Sequence, residues 1–144
     1  MVSAAQAAPA AERVDFRRLL WVGPLAIAAA VIANVIIRFV AVAALQPDPA
    51  FMPLSVAMPI VFTIIGGLGA VIVFALLGRF ARRPITLFQR IALGVLVVSL
   101  IPDLLLLNGG MPGATVGGVA TLMLMHVVAW AIIVRVLTTM ARAA

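Results

Sequence analysis

The sequence predicts an all-α fold, an integral-membrane up-down bundle of four helices, and three observations predict it. Of the 144 residues, 66% are hydrophobic and the mean hydropathy is +1.31, more apolar surface than one small domain can turn inward. The apolar residues gather into four stretches that meet or approach the ~20 residues a bilayer-crossing helix needs. The arginines fall at the chain's start, in alternate joints and at its end, with one exception inside a span.

The first span covers about residues 19–45 and is interrupted by Asn34 and Arg38. Ahead of it, residues 1–12 form an Ala-rich head of low complexity, expected to be a disordered cytoplasmic tail. Arg17-Arg18 before an apolar run loosely mimics a cleavable signal, but the run far exceeds a signal core of ~7–15 residues, so an uncleaved helix is expected. The second span, about residues 54–78, carries no charge. Its Gly66-Gly67-Leu68-Gly69-Ala70 string, like Gly117-Gly118 and the alanines of the first span, suits close helix approach, since packing drives association in lipid. Pro24, Pro53 and Pro59 are read as first-turn prolines, and Pro84 as starting an interfacial turn before the third helix.

The third span, about residues 87–107, holds Asp103 as its one charge beyond Arg90, directly after Pro102. A proline there frees the carbonyl of Val98 and is expected to bend the helix. The fourth span, about residues 114–136, holds His126, the chain's sole histidine. Short connections between spans favour antiparallel neighbours.

The net charge of +6 is a topology signal. Arg13, Arg17 and Arg18 precede the first span, Arg79, Arg82, Arg83 and Arg90 lie around the joint between the second and third, and Arg135 and Arg142 close the chain. The joints QPDPAFMP and NGGMPGATVGG contain no Lys or Arg. The positive-inside rule then places both termini in the cytoplasm of a bacterial inner membrane, with no basic face left over for nucleic acid. The lack of cysteine excludes disulfides and thiolate metal sites. One His and one Asp fall short of the three or four ligands of a metal centre, and no cofactor fingerprint, phosphate loop or nucleophile elbow is present. No catalytic, metal or cofactor site is therefore assigned.

Asn34, Arg38, Ser99, Asp103 and His126 form the candidate intramembrane polar cluster. Counting ~1.5 Å per residue from the flanking arginines puts Asn34 and Arg38 about 24 and 30 Å up, Asp103 about 20 Å and His126 about 14 Å. Arg38 and Asp103 are the oppositely charged residues within the spans, and an Arg38–Asp103 ion pair is expected, with Asn34 and Ser99 completing its hydrogen bonds. Snorkelling of Arg38 to the outer headgroups is the plain alternative. For His126 the plain alternative is a neutral imidazole hydrogen-bonded across helices, against a protonation relay with Asp103.

The residues GPL at Gly23 to Leu25, Asn34 and Arg38, SLIPDLLLL around Asp103 and PGATVGGVATLMLMHVVAWAI around His126 resemble an uncharacterised family of small four-helix membrane proteins from high-GC bacteria, a domain of unknown function. The resemblance implies a fold and no activity. Three readings follow. The first is a non-enzymatic membrane protein, an accessory subunit or a binder of lipid or a lipophilic small molecule. The second is a proton-coupled transporter acting as a dimer, and the third a membrane enzyme using His126 as a base. The first is preferred because no reaction motif is present; lipid, other membrane subunits or a second copy are the expected partners.

Overall fold

A computed structural model describes residues 12–143. Four long helices make up the fold: α1 (Phe16–Leu45), α2 (Ala57–Phe80), α3 (Pro84–Leu105) and α4 (Val116–Met140). A 3-10 turn, Met52–Leu54, lies between α1 and α2. At ~1.5 Å per residue the helices are roughly 33–45 Å long, enough to cross a ~30 Å hydrocarbon core. All four are apolar enough to span, with mean hydropathies of 1.9 to 2.7 over their best windows. The molecule is a multi-pass membrane helical bundle.

The helix starts depart from expectation for local reasons. α1 begins one turn early because the Asp15 carboxylate accepts from the backbone N–H groups of Arg17 and Arg18. Pro24 therefore lies well inside α1 rather than in its first turn. Residues 54–56 belong to the turn before α2, and Pro59 occupies the first turn of that helix. Pro84 is the first residue of α3 itself, not of a separate turn, because a proline at that position gives up an N–H that has no intrahelical partner. α3 continues through Pro102 to Leu105. α4 starts behind Thr115, whose hydroxyl accepts from Gly118 N–H at 3.1 Å.

Four helix ends meet at one end of the bundle. Asp15 N–H donates to Ala141 O at 2.9 Å and Ala143 N–H to Arg13 O at 3.0 Å, joining the entry to α1 with the exit from α4. Val14, buried, packs against Gly78 near the close of α2; a Cβ on that glycine would stand 2.8 Å from Val14 Cβ. Glu12 accepts from the backbone N–H of Ile85 and Thr86 and from the Thr86 hydroxyl, so the carboxylate caps α3 from far away in sequence. Those hydrogen bonds, led by the Thr86 hydroxyl, hold the Glu12 carboxyl below its ordinary range. The expected disordered tail, residues 1–12, lies outside the described residues except for Glu12, which is held in this cap.

The helices stand in a ring. α1 packs most extensively on α4 and then on α2, and α3 packs on α4 and α2, which leaves α1 and α3 diagonally opposed. The core has two apolar parts. Near the arginine-rich end, Leu19, Val22, Ala26, Ala30, Phe74, Phe88, Ile133 and Leu137 pack together, with the Phe74 and Phe88 rings edge to face at 4.9 Å. At the far end, Phe51 and Leu54 pack on Val119, Leu122 and Met125. Of the Gly66–Ala70 string, Gly67 alone makes a close contact: a Cβ there would stand 2.7 Å from Ile27 Cγ1. Gly66 and Gly69 face open space.

Candidate functional site

Toward the far end of the bundle α1, α2, α3 and α4 each bury a polar side chain, Asn34, Thr63, Asp103 and Thr121, and α4 buries a second, Thr138, near the arginine-rich end. They arrange themselves by ring neighbour. Asn34 Nδ2 donates to Thr63 Oγ1 across the α1–α2 seam at 2.9 Å. On the α3–α4 seam, Asp103 Oδ2 lies 2.9 Å from His126 Nδ1. Thr121 donates back to Gly117 O within α4 at 2.8 Å, so it is satisfied locally.

The expected Arg38–Asp103 ion pair does not form. Arg38 Nε donates to the carbonyl of Leu54 at 2.8 Å, and its guanidinium lies 5.1 Å from the centre of the Phe39 ring. Two physical reasons account for this. The 3-10 turn presents a carbonyl with no helical partner close to the end of α1, and α1 and α3 sit at opposite corners of the ring. A height difference that an extended arginine could reach across does not bring two residues together when their helices are not neighbours. Asn34 and Ser99 do not complete that pair either. Asn34 serves Thr63, and Ser99 Oγ donates to Leu96 O on its own helix at 2.7 Å.

The pair that does form has an uneven environment. Asp103 leaves 10% of its side chain exposed, whereas His126 leaves 41%, so the imidazole opens to the bundle surface with the carboxylate behind it. His126 Nδ1 also lies 3.0 Å from Leu122 O, one turn earlier on α4. One ring N–H thus faces two acceptors, Leu122 O and the buried Asp103 Oδ2, and His126 is the donor group closest to that oxygen among the described residues. Asn34 Oδ1 and Trp130 Nε1 are buried and unpartnered among the described residues. Trp130 is four residues beyond His126 and shares its helix face.

Chemically, the α3–α4 seam offers a buried carboxylate in contact with an imidazole, and a second ring nitrogen left for anything outside the pair. Such a pair accepts a hydrogen-bond donor or passes a proton between its members. Among the described residues, no three His, Cys, Asp or Glu side chains gather as metal ligands. Sequence reasoning left out Thr63, which brings no charge to the second span, and Trp130, whose signal is its four-residue spacing from His126.

A family of unknown function (DUF6069) matches residues 14–143, and the chain belongs to that family. No curated protein and no solved structure matches it.

Proposed function

For this member of a family of unknown function, we propose a role without chemistry of its own. The protein binds a lipid or a lipophilic small molecule, or serves as an accessory subunit of a larger membrane assembly, through the Asp103–His126 seam. The observation that supports this most strongly is the half-open His126 in front of a buried carboxylate. An imidazole open to hydrocarbon is unfavourable by itself, and a polar group of a ligand or of a neighbouring helix relieves it. The arginine pattern supports a bacterial inner-membrane location with both termini cytoplasmic.

Native mass spectrometry of the protein released gently from its own membrane tests the reading. A reproducible added mass on the wild type that is lost in His126→Ala supports a bound molecule, and a co-released membrane subunit lost in the same variant supports the accessory role. A bare chain in both proteins contradicts the proposal.

The same pair supports a second reading, a proton-coupled small transporter working as a dimer. Its members are ionisable groups in contact within the spans, the usual mark of a proton path. Flux driven by a pH gradient in the wild type and abolished in Asp103→Asn is the expected result; no flux in the wild type dismisses it.

A further inference from the structure

A groove of about 540 Å³ runs along the outer surface between α1 and α2, on the opposite side of the bundle from the α3–α4 seam. It starts beside Arg17 and follows α1 to Ile27, ten residues on. At ~1.5 Å per residue that is about 15 Å, half the ~30 Å hydrocarbon core and so the depth of one leaflet. Its floor includes Gly23, against which the Val71 methyls pack, and Ala75, which has a single methyl. Larger residues stand up as walls, with Leu20 80% and Ile72 58% exposed. The floor is also tight, since a Cβ at Gly23 would come within 3.2 Å of the Val71 methyls.

The charge at the mouth is unbalanced. Only Glu12 and Asp15 are acidic at this end of the described chain, and both are engaged. Glu12 caps α3, while Asp15 caps α1 and lies 3.4 Å from Arg18 Nε. The Arg17 guanidinium has no carboxylate partner among the described residues. A slot lined by apolar side chains, one leaflet deep and ending at an unpaired arginine, matches an acyl chain joined to a phosphate.

We propose that this groove is a binding site for one anionic glycerophospholipid of the adjoining leaflet, with an acyl chain along Gly23 and Ala75 and its phosphate at Arg17. The site is separate from the Asp103–His126 seam and does not depend on the role proposed there.

The test uses the full chain in neutral detergent micelles, titrated with phosphatidylglycerol or with phosphatidylcholine bearing the same acyl chains. Bound lipid is counted by native mass spectrometry. One phosphatidylglycerol is expected to bind about fivefold more tightly than phosphatidylcholine, the preference one arginine confers near a lipid surface. Arg17→Gln removes that preference, and Ile72→Trp, which narrows the slot from an exposed position, weakens both lipids. Arg90→Gln, at the same end but on the diagonal helix α3, leaves binding unchanged. Equal binding of the two lipids, equal losses in Arg17→Gln and Arg90→Gln, or no effect of Ile72→Trp in a variant with wild-type thermal unfolding overturns the site.

Discussion

At the scale of single residues, the polar side chains of the spans are sorted by who their helical neighbour is. Asn34 meets Thr63, Asp103 meets His126, and Arg38 turns to a loop carbonyl. Double-mutant cycles separate these partnerships. The cycle joining Asp103→Ala and His126→Ala is expected to show a coupling on the order of 1 kcal/mol in a steric-trap or denaturant measurement, near the upper range for polar pairs between membrane helices. The cycle joining Arg38→Met and Asp103→Ala is expected to add within about 0.5 kcal/mol, because the two residues share no partner. Coupling in the second cycle and additivity in the first would reverse the pairing. The identity of Asn34, Arg38, Asp103 and His126 was legible in the sequence, since each one interrupts an apolar stretch, and that of Thr63 was not. Their partners were not: counting residues along a helix gives height, while the choice between Arg38 and His126 depends on which helices stand next to each other.

At the scale of elements, the four spans were legible from apolar length, and their ends were not. The start of α1 depends on a carboxylate at Asp15, and that of α3 on Glu12, a residue whose contact spans more than seventy positions. The small residues divide in the same way. Within Gly66–Ala70 the string marks a helix that approaches another closely, yet only the fold shows that Gly67 does so while Gly66 and Gly69 face outward. Gly67→Ala is therefore expected to lower stability by about 1–3 kcal/mol, because its methyl collides with Ile27 unless α1 and α2 separate. Gly69→Ala is expected to raise stability by up to about 1 kcal/mol through helix propensity alone. Thermal unfolding of the two variants side by side checks both signs.

At the scale of the whole molecule, the arginine-rich end is closed by the segment before α1, which pairs with the end of α4 and caps α3. Glu12→Gln keeps an acceptor in the cap but gives up the carboxylate's charge-assisted hydrogen bonds, and is expected to lower stability by up to about 1 kcal/mol. The sign of the pH effect follows from the depressed Glu12 carboxyl. Its contribution is present above the ordinary carboxylate range and is lost as pH falls through the lowered value, so acid should narrow the gap between wild type and Glu12→Gln. A constant gap in unfolding midpoints from neutral to acid pH would contradict that assignment. The closed end leaves the polar seam farther along the bundle as the feature most open to a function, and His126 reports on it alone because it is the sole histidine. The most direct test is nitrogen NMR of the His126 ring in lipid at fixed pH. The Asp103–His126 contact predicts that the Nδ1 resonance moves in Asp103→Asn and stays in place in Arg38→Gln; a resonance indifferent to Asp103 but shifted by Arg38 would contradict it.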